Sequence, residues 1–343
     1  MKSDYKRSRV KTIIVAGAIL TALSMPAISQ NSFFLNMLIM SGLWSILVLA
    51  WSLIWKTGEF SLGMAGFWAI GAYSSTYITN GLHLSFWLAL PFGGVMASIV
   101  SLIFGPIILR TRTLYFAGIT LAFSEMVRLS IQYMPKELGG GFDLTGIPHP
   151  YFPGIDFVGS RVPYYYLVLA VLLITVLVMW RIDQSRVGRL MEAVGIHVEP
   201  LARSLGIGGL KYKLMGFVIA NFFAGLSGAL LAHYWLVLYP DSFTMHQSLL
   251  VQVMAMVGGA NYLILGPIIG AFVMTISGIL LQTFLPGLDL LFWGVLVVLA
   301  IFFLPHGLAS LEHGVSAIKL PWKRAKAVEI EDEGELVGAG VKE

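Results

Sequence analysis

The 343-residue chain is poor in charge and has no cysteine, since only 12% of its residues are Asp, Glu, Lys or Arg. A soluble domain carries about 25% charged residues, so this composition excludes an ordinary soluble globular protein. The lack of cysteine excludes disulfides, thiolate metal ligands and cysteine nucleophiles. What the chain has instead is 57% hydrophobic residues and a mean hydropathy of +0.82. Apolar runs of about 20 residues recur along it, which predicts an all-α polytopic membrane protein.

Several sequence motifs of catalysis and nucleotide binding are also missing. There is no G-x-x-x-x-G-K-[ST] loop for nucleotide phosphates and no H-E-x-x-H zinc motif. A G-x-S-x-G nucleophile elbow is absent, and the seven histidines lack metal-ligand spacing. We therefore expect no enzyme activity, no metal and no cofactor bound by this chain itself.

Ten apolar segments are predicted to cross or enter the membrane. They lie at 12–23, 34–55, 61–79, 86–109, 114–134, 164–180, 213–238, 246–258, 262–284 and 289–304. Basic residues beside these segments place the N-terminus, the turn at Arg110 and Arg112, and the C-terminal tail in the cytoplasm. The segment 246–258 is short for a span, so a re-entrant segment that reverses the side of the tail is the alternative. Ala27-Ile28-Ser29 resembles a signal-peptidase site, so removal of the first segment is a second alternative.

The hydrophilic stretches divide the chain into simple regions. Residues 1–11 are predicted as a cytoplasmic flank, 12–307 as one transmembrane domain and 308–343 as a cytoplasmic, disordered tail. Residues 135–163, rich in Gly, Pro and aromatic residues, are predicted as an external loop that forms an ordered cap, with direct contact to a solute as the alternative. Residues 181–212 are predicted as a cytoplasmic loop.

Two groups of polar residues fall inside predicted spans. Glu125 and Arg128 stand three positions apart, so they share a helix face and can pair. Such a pair can lock helices together or line a polar path, and the structural role is the prediction. Glycines at 58 and 63 flank Ser61 beside Glu59, which indicates a broken helix start. This candidate site, made of Gly58, Glu59, Ser61 and Gly63, fits either a translocation path or close helix packing.

The charged stretch 181–213 holds six Arg or Lys residues within an otherwise apolar chain. Its apolar positions Val194, Val198, Leu201 and Leu205 follow the spacing of one helix face. Pro200 suits the first position of a helix and Gly206 suits the position just past its end. This pattern predicts a short amphipathic helix from Pro200, which docks into a groove of a partner protein or lies on the lipid interface.

Six blocks in order give the chain a resemblance to a known family. They are GEFSLGMAGFWAIGAYSS (58–75), LAFSEMVRL (121–129), GGGFDLTGIP (139–148), GRLMEAVGIHVEPLARSLGI (188–207), KLMGFVIANFFAGLSGALLA (213–232) and GGANYLILGPIIGAF (258–272). Together they resemble the permease subunits of ABC importers for branched-chain amino acids, specifically the LivM-type subunit. The resemblance covers roughly Asn31 to Gly307. It implies a type II-like ABC importer permease fold of about 10 transmembrane or re-entrant helices.

The resemblance also implies a coupling loop at 188–207 that docks on a separate ATPase subunit. Gly188 and Arg189 open this loop, and Glu199, Ala202 and Gly206 occupy positions similar to the family's Glu-Ala-Ala-x-x-x-Gly pattern. The chain departs from its relatives at 195–198, where Gly-Ile-His-Val replaces a usually polar run. The residues assigned to the ATPase-coupling loop are Gly188, Arg189, Val194, Val198, Glu199, Leu201, Ala202, Leu205 and Gly206.

The implied protein is half of a heterodimeric pore in the bacterial cytoplasmic (inner) membrane. Its implied partners are a LivH-like second permease, two ABC ATPase subunits that bind ATP-Mg, and an extracytoplasmic solute-binding protein. Leu, Ile or Val are the implied solutes, with urea, short amides or other amino acids as alternatives. An ion-coupled secondary carrier and a membrane-embedded enzyme are the competing classes. The first would need more buried charge and the second a clustered nucleophile or metal set.

Overall fold

Six apolar helices long enough to cross a bilayer dominate the computed structural model. It describes residues 23–26, 31–111, 113–134, 144–154, 157, 159–195, 208–259, 263–284, 287 and 294. The six helices are Ser32–Lys56, Phe86–Ile108, Leu114–Tyr133, Val162–Gln184, Gly209–Trp235 and Leu265–Phe284. They confirm the predicted all-α polytopic membrane architecture.

The structure contains nine described α-helices. In chain order they are α1 (Ser32–Lys56), α2 (Met64–Thr76), α3 (Phe86–Ile108), α4 (Thr113–Tyr133), α5 (Val162–Gln184), α6 (Arg186–Ala193), α7 (Gly209–Trp235), α8 (Met245–Gly258) and α9 (Leu265–Phe284). A π-helical turn, Tyr77–Gly81, extends α2, and a 3-10 turn, Pro240–Phe243, precedes α8. Two short strands, β1 (Leu144–Thr145) and β2 (Val237–Leu238), pair antiparallel.

Most predicted spans agree with these helices, and one does not. The segment 61–79 is divided into an irregular start, the 13-residue helix α2 and the π-helical turn. Its first residues are not helical, because the Leu62 N–H donates to the Thr120 hydroxyl and the Gly63 N–H donates to the Ser61 hydroxyl. The predicted segments 12–23 and 289–304 lie outside the described residues, apart from Leu23 and Gly294.

Helix α1 is the centre of the bundle and is buried along nearly its whole length. It begins where the Asn31 side chain accepts a hydrogen bond from the Phe33 N–H (3.0 Å), which satisfies a free donor of the first turn. It packs against α5, α7, α8 and α9. Helices α1 and α5 are parallel, because Gly42 lies against Val168 and Lys56 pairs with Asp183.

Helix α8 runs in the direction opposite to α2. The Gln252 side chain contacts Ser61 before α2, and the Ser248 hydroxyl, one turn earlier in α8, contacts Ala65. The next helix, α9, returns antiparallel to α8, with glycines of the two helices in close contact. These directions agree with the predicted order, in which 246–258 is one segment and 262–284 runs back in the opposite direction.

The described part of the 135–163 loop folds over one end of the bundle. Residue Ile147 follows β1 and is buried, and the Pro148 carbonyl lies 2.9 Å from Nδ1 of His233 near the end of α7. The indole of Trp87, at the start of α3, donates a hydrogen bond to the Tyr151 carbonyl (2.9 Å). Residues 144–154, which we call the cap, are therefore packed against the start of α3 and the end of α7.

Candidate coupling and translocation site

The candidate helix break is an irregular segment, residues 57–63, between α1 and α2. Helix α1 stops at Lys56, and Thr57 closes its last turn by donating its hydroxyl proton to the Ile54 carbonyl (2.7 Å). Gly58 then takes a φ of +81°, a left-handed conformation that favours glycine. Helix α2 begins at Met64 after Gly63. Residues 57–63 thus interrupt the helical conformation between α1 and α2, and we call them the break segment.

Polar groups of three helices hold the far end of the break segment. The Ser61 carbonyl accepts hydrogen bonds from Nε1 of Trp51 (2.9 Å) and Nε2 of Gln252 (3.0 Å). The Leu62 N–H donates to the Thr120 hydroxyl of α4 at 3.0 Å. Since these backbone groups have partners within the chain, the break is stabilised without lipid-exposed polar backbone.

Close packing fixes the same region sterically. A Cβ added at Gly63 would lie 2.6 Å from the Thr120 carbonyl, and one at Gly66 would lie 2.8 Å from the Ser124 Cα. Both glycines therefore allow α2 to approach α4 more closely than any larger residue would. The side chain of Ser61 is fully buried. The described geometry is thus that of a closely packed junction.

A buried ion pair joins the near end of the break segment to α7. Nζ of Lys213 lies 2.9 Å from Oε1 of Glu59, and the two side chains are 9% and 2% exposed. Removing one partner of such a pair costs about 3–5 kcal/mol, because it leaves the other charge uncompensated. Glu59 is a candidate residue from its sequence context, whereas its partner Lys213 is not, since 154 positions separate them. A lysine two residues after Lys211, inside the start of an apolar segment, was the available signal.

The N-terminal part of the predicted coupling loop contains a helix, α6, that was not expected. Helix α5 extends to Gln184, and Ser185 then accepts a hydrogen bond from the Gly188 N–H (3.1 Å) as the N-cap of α6. Helix α6 was not predicted; the helix expected from Pro200 lies in the undescribed range 196–207. Nζ of Lys56, at the end of α1, pairs with Asp183 and lies 3.6 Å from Oε2 of Glu192.

Three residues assigned to the ATPase-coupling loop are described. Gly188 packs so closely that an added Cβ would lie 2.1 Å from the Ile182 carbonyl. Arg189 is exposed and donates a hydrogen bond to the Gln184 carbonyl at 3.1 Å. Val198, Glu199, Leu201, Ala202, Leu205 and Gly206 lie outside the described residues.

Val194 corrects the predicted docking face. Its side chain is fully buried at the C-terminal end of α6, so it faces this chain and is not available to a partner. The physical reason is the periodicity of α6, because Val187, Leu190, Met191 and Val194 follow the spacing i, i+3, i+4 and i+7 of one apolar face. That face packs onto the bundle, where Met191 is also buried.

The predicted pair of Glu125 and Arg128 is present in α4. Nε of Arg128 lies 2.8 Å from Oε2 of Glu125, and an Arg128 Nη1–Oδ1 contact of 2.8 Å adds Asp241 from the 3-10 turn. Oε1 of Glu125 accepts a hydrogen bond from the Met245 N–H (3.0 Å), the first residue of α8. The pair thus links two helices, which supports the structural role predicted for it.

The described residues contain no group of three or more His, Asp or Glu side chains that could hold a metal ion. What the described residues bring together is a set of polar and ionic contacts between helices. The break segment contacts α7 through the Glu59–Lys213 pair and contacts α4 and α8 through Leu62 and Ser61. Lys56, the residue just before it, pairs with Asp183 at the end of α5.

Comparison with known proteins places this chain in a family. Residues 33–301 match the family model "Branched-chain amino acid transport system / permease component". The chain is 31% identical over 277 residues to the "High-affinity branched-chain amino acid transport system permease protein LivM" of Escherichia coli (strain K12), covering 74% of this chain and 64% of the relative. It is 30% identical, with the same coverage, to the protein of that name in Salmonella typhimurium (strain LT2).

The chain thus spans 64% of the length of the curated relatives that it matches. No solved structure matches it. The family match extends from the second residue of α1 through the described end of α9 and beyond, so it includes the break segment, the charged loop and the Glu125–Arg128 pair. The chain belongs to the branched-chain amino acid transport permease family and is similar to its LivM-type members.

Proposed function

We propose that this chain is one permease subunit of an ATP-binding cassette importer in the cytoplasmic (inner) membrane. The observation that carries the proposal is the match of residues 33–301 to the permease family. The missing P-loop agrees with it, because ATP hydrolysis then belongs to separate subunits. The chain would form half of the translocation pathway beside a LivH-like second permease.

The coupling loop at 188–207 is the proposed contact with the ATPases. ATP-Mg would bind to two partner ATPase subunits, and their closure would displace the loop. Arg189 is exposed at its described start, and the predicted helix from Pro200 carries Leu201 and Leu205 on one face. Gly188, Glu199, Ala202 and Gly206 complete the assigned loop. The attached helices would then expose the pathway alternately to each side of the membrane.

The proposed solutes are Leu, Ile and Val, which an extracytoplasmic solute-binding protein would deliver. This choice rests on the name of the family and of the relatives. Urea, short amides and other amino acids are the alternatives, and a competition panel for uptake separates them. Gly58, Glu59, Ser61 and Gly63 are proposed to act at the pathway through the packing of the break segment.

Reconstitution of the complex tests the function and the loop together. The chain, the second permease, both ATPases and the binding protein are incorporated into liposomes, and ATP-dependent uptake of radiolabelled leucine is measured. The variant Leu201→Asp/Leu205→Asp should lose uptake and co-purification of the ATPase, because two carboxylates cannot enter an apolar docking groove. Arg203→Asp is the matched control, since it places the same carboxylate on the opposite face of the predicted helix.

The outcomes separate the competing classes. Normal ATPase association of Leu201→Asp/Leu205→Asp would contradict the coupling assignment. Uptake by the isolated chain, driven by an ion gradient without ATPases, would instead establish a secondary carrier.

A further inference from the structure

We propose that the break segment is the element that transmits displacement of the coupling loop to helices α4 and α8, and that the Glu59–Lys213 pair makes this connection rigid. The inference deepens the proposed function and rests on it. In this role Glu59 and Lys213 are positioning residues, which act through the helices that they join.

Two helical segments lead into the coupling loop, and we call them its stems: residues 183–195 on its N-terminal side and the start of α7 on its C-terminal side. Both stems lie against the start of the break segment. On the N-terminal stem, Lys56 pairs with Asp183 of α5, and an added Cβ at Gly195 would lie 3.8 Å from both the Lys56 carbonyl and the Gly58 nitrogen. Glu192 of α6 also approaches Lys56, at 3.6 Å. The segment that leads into the loop therefore contacts the end of α1 and residue 58 directly.

The C-terminal stem meets the same point from the other side. Lys213, in the second turn of α7, pairs with Glu59. An added Cβ at Gly216, one turn later, would lie 2.8 Å from Cγ2 of Thr57 and 3.8 Å from Cε of Met191. Thr57 and Met191 are both buried, so α1, α6 and α7 meet in one packed contact. The flanking segments on both sides of the loop are therefore packed against or paired with residues 57–59.

The other end of the break segment contacts helices deeper in the bundle. The Leu62 N–H donates to Thr120 of α4, and the Ser61 carbonyl accepts from Gln252 of α8. The Ala65 N–H, at the start of α2, donates to the Ser248 hydroxyl of α8 at 3.0 Å. The break segment is only seven residues long, so a shift of its first residues is passed to these contacts.

The chemistry of the pair explains why it is ionic. A buried ion pair adds little net stability compared with packed apolar side chains, but separating its charges is costly. It therefore resists extension more than an apolar contact of the same size does. The competing explanation is that the Glu59–Lys213 pair only stabilises the fold. This explanation predicts equal effects on all activities of the folded complex.

Neutralising both partners tests the rigid connection. The variant Glu59→Gln/Lys213→Met leaves no uncompensated charge, and it is assembled with the partner subunits. We expect solute uptake to fall about tenfold, within the 5- to 150-fold range typical of coupling between sites. ATP hydrolysis by the same complex should remain, because the docking surface of the loop is intact. Asp241→Asn, which neutralises a carboxylate of the distant Arg128 cluster, is the control and should keep both activities.

The ratio of solute uptake to ATP hydrolysis distinguishes the two explanations. Uptake per ATP hydrolysed falls if the pair transmits motion, whereas uptake and hydrolysis fall together if the pair only stabilises the fold. Unchanged uptake in the double variant would also overturn the proposal.

A reversible cross-link gives an independent test if that variant does not fold. The chain has no cysteine, so Thr57→Cys/Gly216→Cys introduces a single reactive pair into it. The two positions are in direct contact, since an added Cβ at Gly216 would lie 2.8 Å from Cγ2 of Thr57, and a disulfide joins residues whose Cβ atoms lie about 3.5–4.5 Å apart. A junction that moves as one body keeps full uptake after oxidation. Loss of uptake on oxidation, restored by a reductant and absent from each single-cysteine variant, would show that the junction must open and would overturn the proposal. Failure of the unmodified complex to take up solute with ATP would reject the proposed function instead.

Discussion

Single glycines decide how closely the helices of this bundle approach one another. Helices α2 and α7 cross where an added Cβ at Gly228 would lie 2.0 Å from the Trp68 carbonyl. Immediately beside this point, a Cβ at Gly71 would lie 2.1 Å from the Gly225 carbonyl. Small residues at such crossings let the two backbones touch, and this contact replaces the hydrophobic driving force that is lacking in lipid.

We therefore expect Gly228→Ala to destabilise the folded protein. The new methyl group overlaps a backbone carbonyl that cannot rotate away, and such overpacking costs about 1–3 kcal/mol. Gly118→Ala is the matched control, since no described atom outside the backbone of its own helix lies within 4 Å of its added Cβ. This control should be neutral or slightly stabilising, because Ala favours a helix over Gly by up to about 1 kcal/mol. Thermal unfolding in detergent measures both variants, and equal midpoints would contradict the expectation.

Separation along the chain decides which ion pairs a sequence can reveal. The Glu125–Arg128 pair was predictable, because residues three apart on a helix must share a face. The Glu59–Lys213 pair spans 154 positions and depends on the packing of α7 beside the break segment, which no local pattern specifies. The helix break itself was predictable from Gly58 and Gly63.

At the scale of elements, α8 is a short helix whose first residue is hydrogen-bonded by a neighbouring helix. It has 14 residues, so at 1.5 Å per residue it is about 21 Å long and shorter than a bilayer core of about 30 Å. Glu125 of α4 accepts a hydrogen bond from its first N–H, at Met245. Arg128 joins the same cluster to Asp241 in the turn before α8. The cluster thus fixes where α8 begins.

Glu125→Gln should loosen the start of α8 and lower the stability of the folded protein. It removes the charge from both the ionic contact with Arg128 and the hydrogen bond with Met245, and a hydrogen bond to a charged group contributes about 1.5–3 kcal/mol. Folded yield and thermal midpoint in detergent should both fall, while uptake per folded molecule is kept. Asp241→Asn is the control and should change little, because the Asp241 side chain is 73% exposed. Normal stability with lost uptake would place Glu125 on the transport path.

Helix boundaries in the charged loop show where sequence periodicity was insufficient. Val194 fits two apolar patterns, one running back to Val187 and one running forward to Leu205. The described structure buries the first pattern, because Met191 and Val194 both lie in the core. Periodicity gives the spacing of a face but not which neighbour covers it, so α6 and the burial of Val194 required the tertiary structure.

For the whole molecule, polar contacts place the basic segments at one end of the bundle. Lys56 pairs with Asp183, and Lys213 pairs with Glu59, so the ends of α1 and α5 and the start of α7 lie together. Gly105, near the end of α3, packs against Leu214, which brings the following Arg110 to the same end. The order of the spans and this clustering were predictable from the sequence by the positive-inside rule.

The cap marks the opposite end, and this gives a direct test of orientation. Helix α3 has 23 residues and is about 35 Å long, with Trp87 at its start bound to the Tyr151 carbonyl and Arg110 just beyond its end. Because the chain has no cysteine, Tyr151→Cys and Arg110→Cys can each be labelled without background. A membrane-impermeant maleimide should label Tyr151→Cys from the outside of right-side-out vesicles and Arg110→Cys only in inside-out vesicles. Both side chains are exposed, so burial cannot mimic protection. Reversed labelling would invert the topology, and labelling of both from one side would show that α3 does not span the membrane.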